Sequence, residues 1–318
     1  MCAELALAPA VAAPPAAEWH GRALGAPGRI RLVHPQDRRA RRVLAQCRAE
    51  IERLERLFSL HRPDSALVRL NASGACPRPD GDFLALIERA QSLSALTGGA
   101  FDISVQPLWQ LYSQHFARTP QARHGPPPDA VEQARRRVGW QRITAGSARI
   151  ELPPGMALTC NGIAQGYITD RVTELLRDAG FEHVLVQLGE ARSLGRAAPQ
   201  RDWRLGLVDP TAPWQLAGHV ALRERALASS GGYGTPLSAD GEHHHLFDPT
   251  SGRSAHAHAG VSVMAPQATL ADALATAFAV LPAERSLALA QPMPGVALRL
   301  TDAAGGVRAL RWPGDPAG

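Results

Sequence analysis

Val43, Cys47, Ile51, Leu54 and Phe58 are spaced by four, four, three and four residues, and this stripe predicts a long amphipathic helix over residues 37–58. A second helix is predicted from Asp80 to Leu96, where Phe83, Ile87, Ala90 and Leu93 share a face and Thr97-Gly98-Gly99 stops it. Ser59 to Ser65 breaks the pattern between them, and Leu67 to Leu70 reads as one further turn. Residues 119–128, with four prolines and a glycine, form a loop before a helix from Asp129 to Val138. Further helices are predicted over residues 163–179, ending at Gly180, and from Thr269 to Leu281. Short apolar runs predict strands at Arg29–Val33, Ile150–Leu152, His183–Leu188, Trp203–Val208, Gly218–Leu222 and Ala226–Ser229, and around Val261 and Val296. A strand-like run also precedes Asn161. So many strands in succession, with few crossover helices, predict an α+β fold: one compact domain over residues 21–312 with mixed or antiparallel sheets flanked by helices. Residues 1–20 are read as a leader or signal-peptide remnant without fixed structure, and 313–318 as a frayed tail.

Composition narrows the function classes. The chain has 318 residues, 45% of them hydrophobic and 20% charged, which is ordinary for a globular protein with a sizeable core. All 34 basic residues are arginines, so neither a Schiff base nor a lysine phosphate clamp can operate. The clusters Arg38–Arg42 and Arg135–Arg137 lie on predicted helices beside acidic residues, which reads as solvated faces and not as a nucleic-acid footprint. No stretch has the length of a membrane-spanning helix. The four cysteines show neither C-x-x-C pairing nor metal-site spacing, and Cys47 and Cys160 read as small core residues. Leu5 to Ala17 resembles the tail of a secretory signal without its basic start. The protein is therefore expected to be exported or periplasmic, or cytoplasmic if the N-terminus is complete.

Candidate chemistry gathers in four places. Asn161-Gly162 stands where a turn opens a helix, a place where backbone N–H groups face phosphate, although Gly162 and Gly166 equally suit close helix packing. Asp272 and Thr276 lie four apart on a helix, so their oxygens point the same way and suit Mg²⁺; a plain surface Asp on an alanine-rich helix is the other reading. His243-His244-His245 matches no standard zinc signature; one histidine beside Asp248-Pro249 suits holding a substrate or moving a proton. Asp102, a lone acid in an apolar turn, is open to two readings, a cap or a ligand contact.

Five ordered segments between about Leu24 and Leu300 together resemble the ApbE-type FAD:protein FMN transferases, with features of the NosX-like branch. They are Phe58 to Ser65 with Leu70-Asn71, Thr97 to Asp102, Asn161 to Tyr167, His245 to Pro249 with Gly252, and Asp272 with Thr276. The resemblance implies a Mg²⁺-dependent enzyme that passes FMN from FAD to a Thr or Ser hydroxyl of an acceptor protein and releases AMP. It implies a metal held by the Ala164 carbonyl, Asp272 and Thr276, with His245 or Asp272 receiving the acceptor's proton. It also implies flavin contacts from Leu24, Ser59, Leu60, His61, Asp102, Gln165, Tyr167 and Leu246. The acceptor implied is a flavoprotein, such as a membrane subunit of a respiratory or nitrous oxide reduction system. Four places depart from the family pattern: Gln165 stands where a Lys is frequent, Thr159 where an Asp is, Glu190 where a second Gly is usual, and Leu24-Gly25-Ala26 where an early Met-Gly-Thr signature is. A flavin carrier without turnover, or a hydrolase splitting FAD to FMN and AMP, remains the alternative.

Overall fold

The computed structural model describes residues 15–313. Its centre is an eight-stranded sheet in which every neighbouring pair is antiparallel and spatial order follows chain order. The strands are β1 (Ala17–Ala23), β2 (Ala26–Leu32), β3 (Val184–Leu188), β4 (Glu190–Leu194), β5 (Ala226–Ser230), β6 (Gly260–Ala265), β7 (Ala297–Thr301) and β8 (Val307–Leu310). The α+β expectation holds, and the main sheet is wholly antiparallel.

Strand alternation divides the core in two. Val184, Val186, Leu188, Ala226, Ala228, Val261, Val263, Leu298 and Leu300 face the helices. Leu185, Leu227, Met264 and Ala297 face the other way, onto Trp203, Leu205, Leu207, Val220 and Leu222 of a separate hairpin, Trp203–Asp209 with Ala212–Leu222. The helices are α1 (Arg38–Phe58), α2 (Ala66–Ser73), α3 (Gly81–Leu96), α4 (Gln106–Arg118), α5 (Pro128–Arg135), α6 (Ala164–Asp178), α7 (Ala268–Val280) and α8 (Ala283–Ala290). Asp37 caps α1 by accepting from the Ala40 N–H, and the predicted stripe Val43, Cys47, Ile51, Leu54 and Phe58 is buried.

α6 and α7 cross against the sheet with almost nothing between them: a Cβ at Gly166 would stand 2.4 Å from the Ala268 carbonyl oxygen. Close helix packing therefore explains Gly166. The α7 start is fixed from α6 by Asp170, which accepts from the N–H groups of Ala268 and Thr269 and ion-pairs with Arg192 of β4 at 2.6 Å. These N–H groups belong to the helix end that has no intrahelical partners.

Three expectations need correction. Residues 17–20, assigned to the leader, form half of β1 and pair with β2; residues 1–14 and 314–318 lie outside the described residues. The run before Asn161 is not a strand. Its Leu158 N–H and C=O are held instead by the side chain of Asn71, which imitates a neighbouring strand. The histidine run bends so that His244 turns inward while His243 stays half exposed. Finally α4, α8, β4 and β8 lie where no element was predicted.

Candidate active site

A cavity of about 240 Å³ opens between α7, the ends of β4 and β5, and the loops at residues 100–105, 159–162 and 245–247. Its floor is α7. Asp272 and Thr276, one turn apart, both reach it, as does Val280. Asp272 is 4% exposed, and its Oδ2 accepts from the Gly166 N–H at 2.9 Å. This single bond orients the carboxylate across the helix crossing. Burial pushes the Asp272 carboxyl up to about 7 against the pull of that bond. Thr276 is approached by Gly162, where a Cβ would lie 2.8 Å from the Thr276 Oγ1; the glycine leaves the hydroxyl its space.

Glu190 enters the same cavity from the first residue of β4. It is 9% exposed, and burial together with the Asp272 charge holds its carboxyl well above the usual range. Sequence reasoning noted Glu190 only as a departure from a family pattern, although a charged residue directly after an apolar strand and Gly189 was a usable signal. Gln165 lies against Gly189: a Cβ there would meet the Gln165 amide carbon at 2.5 Å. Ser229, Tyr233 and Trp109, also on the wall, carried no pattern that could have singled them out.

His245 lines the cavity beside Leu246 and Phe247. Its backbone N–H donates to the Thr235 carbonyl at 3.2 Å, while its Nδ1 is buried without a partner. Burial depresses the imidazole's pKa, so the ring is neutral at pH 7 and able to accept a proton. Asp102 is a cap, as one of its two readings had it. It caps the short turn after it, accepting from the Ser104 N–H and hydroxyl and, through Oδ2, from the Trp140 N–H at 3.1 Å, and it forms part of the wall.

The other predicted residues lie elsewhere. Ala164 is fully buried in the first turn of α6, next in sequence to the wall residue Gln165 and not itself on the wall. Leu24, Ser59, Leu60 and His61 sit around the C-terminal end of α1, where the Leu24 N–H donates to Glu55 and the Ser59 Oγ accepts from the His61 N–H. Tyr167 points to that side too, donating to Asp82 at 2.5 Å and meeting Phe58 edge-on. None of these five lines the cavity.

Hard oxygen donors meet here with no arginine on the wall, a donor set that fits Mg²⁺ held by Asp272 and Thr276. Among the described residues no three His, Cys, Asp or Glu side chains converge as a softer metal site would need. A wider groove of about 910 Å³ at the Pro153-Pro154 turn has charged residues Arg142, Arg149 and Glu151, and the last two pair with each other.

With this geometry in place, the comparisons are decisive. The profile of the ApbE family matches residues 24–300. The chain belongs to the ApbE family. It is 35% identical over 268 residues to the FAD:protein FMN transferase of Treponema pallidum, covering 77% of this chain and 73% of that one. The FAD:protein FMN transferase of Salmonella typhimurium is 28% identical over 286 residues, or 86% of this chain and 81% of the relative. Among solved structures, the apo flavinyl transferase ApbE of Pseudomonas stutzeri superposes with a TM-score of 0.79 at 26% identity, over 95% of this chain and 97% of that one. The ApbE protein of Thermotoga maritima gives 0.83 at 26% identity, over 93% and 97%. These ApbE relatives share the whole layout described above, not an isolated motif.

Proposed function

We propose that this ApbE-family chain is an FAD:protein FMN transferase. The observation that carries it is the Asp272–Thr276 pair, one turn apart on the floor of a cavity whose wall holds a neutral histidine. Mg²⁺ bound there would draw off charge from the pyrophosphate and help the leaving group depart. Asp272 and Thr276 hold that cation, and Gly166 fixes the angle of the carboxylate. In the reaction, an acceptor Ser or Thr oxygen forms a bond to the FMN phosphorus, the P–O bond to AMP breaks, and the hydroxyl proton moves to the His245 imidazole. His245 is favoured over Asp272 for this role because Asp272 is engaged in cation binding. The flavin contacts assigned to Asp102, Gln165 and Leu246 are supported by their places on the wall.

The acceptor is a flavoprotein domain, for which we propose a subunit of a membrane respiratory system; no helix among the described residues is long and apolar enough to cross a membrane itself. We further place the enzyme in the exported compartment, supported by the signal-like run from Leu5 to Ala17; fractionation of cells expressing the native gene tests this. The deciding experiment incubates the protein with FAD, Mg²⁺ and an acceptor domain carrying a Ser/Thr flavinylation site, reading acceptor mass and AMP together. One added FMN per AMP establishes transfer. AMP with unmodified acceptor shows a hydrolase, and bound FAD without AMP shows a carrier.

A further inference from the structure

Alternation along β4 puts Glu190 and Arg192 on the same, helix-facing side, yet the two meet different fates. Arg192 is spent on Asp170 at 2.6 Å. Glu190 continues into the cavity, where no side chain donates to it and the Ser229 backbone N–H is the group turned toward its carboxylate. Asp272, on the floor, has one oxygen bonded to the Gly166 N–H and the other open. No arginine lines this space, and the chain contains no lysine. Two carboxylates are thus buried together with no protein cation to answer them, an arrangement that costs several kcal/mol per ion unless the groups take up protons or a ligand supplies the charge.

A divalent cation with hard oxygen donors supplies it best. Mg²⁺ sites that rely on one carboxylate depend on substrate phosphates to complete them, whereas affinity rises with the number of charged ligands the protein itself provides. We infer that Glu190 gives the Asp272–Thr276 site a second carboxylate, so that this chain takes up its divalent cation before, and without, the dinucleotide. The inference rests on the cation reading of the cavity given above. Gln165 is consistent with it: a lysine at that place, folded onto Gly189, would bring an ammonium next to Glu190 and compete with the cation.

The test titrates the full chain with Mn²⁺ at pH 7.5 without FAD, following free Mn²⁺ by electron paramagnetic resonance, and measures Tm with and without Mg²⁺. The wild type is expected to bind one Mn²⁺, and E190Q and E190A to bind it at least tenfold more weakly, as D272N does. Cation-free E190Q should melt no lower than the wild type, because it loses a buried like-charge contact, and its Mg²⁺-induced rise in Tm should largely vanish. A merely structural Glu190 would give the opposite result, a lowered Tm with unchanged Mn²⁺ binding. E190Q and E190A binding within twofold of wild type, while D272N loses the ion, overturns the inference and leaves the Asp272–Thr276 reading standing. Mn²⁺ binding by the wild type only after FAD is added overturns it too. No Mn²⁺ binding even with FAD removes the underlying reading itself.

Discussion

Asp170 and Asp272 are buried on either side of the α6–α7 crossing, but the protein surrounds them differently. Asp170 receives four donors: Arg192 at 2.6 Å, the N–H groups of Ala268 and Thr269 at 2.8 Å each, and the Thr269 hydroxyl at 2.6 Å. Asp272, one turn further along α7, receives one donor and faces a cavity. A carboxylate whose lone pairs are filled from within the fold holds elements together. One left largely open, at the cost of burial, is held ready for something from outside. The anchor places the helix; the open site uses it.

The widest separation between the two should come from Asp170→Ala, which strands Arg192 and the α7 N–H groups and is expected to cost about 3–5 kcal/mol in chemical denaturation. If the variant unfolds at the wild-type midpoint, Asp170 is not the anchor. Asp272→Asn should do the reverse, lowering the rate of AMP release by roughly 10²–10³-fold, about 3–4 kcal/mol, while its denaturation midpoint stays at or above that of the wild type. Full activity in that variant would dissolve the contrast.

A pH series sharpens it. The Asp272 carboxyl rises from an ordinary 3.8 to about 7 on folding, so between those values the folded chain holds a proton that the unfolded chain releases. Stability of the cation-free protein attributable to this group therefore falls as pH rises from about 4 to about 7, by about 3 kcal/mol relative to Asp272→Asn. A difference curve between the two proteins that is flat or rises would contradict the open-site description. The smallest effect is expected at Tyr167→Phe, which removes the bond to Asp82 outside the cavity: about 1 kcal/mol of stability and an FAD KM within twofold of wild type. A fivefold or larger rise in KM would extend the site to the end of α1.

The same contrast explains what could be read from the sequence. α1 and α3 were visible because their stripes bury only against apolar neighbours. β4 was not, because its helix-facing positions carry Glu190 and Arg192, and no period of two in hydrophobicity survives that. β1 was lost for a similar reason: Glu18, His20 and Arg22 dilute it, and its existence depends on backbone pairing with β2. Within the site, helical spacing paired Asp272 with Thr276 but left a plain surface Asp equally open, and only family resemblance singled out that pair and chose His245 among three histidines. The grouping of Leu24, Ser59 and Tyr167 with the flavin followed from family resemblance, and the fold places them beyond the cavity wall. Glu190 took its meaning only from Asp272, 82 positions away, a relation no local pattern expresses.

The bond from the Gly166 N–H to Asp272 joins residues 106 positions apart, and the wall also needs Asp102, Glu190 and His245. Such distant pairings form late, after most loop-closure entropy has been overcome. A chain that lacks the residues up to 276 has no floor to its cavity, so the polypeptide has no place to hold the dinucleotide until it is nearly finished.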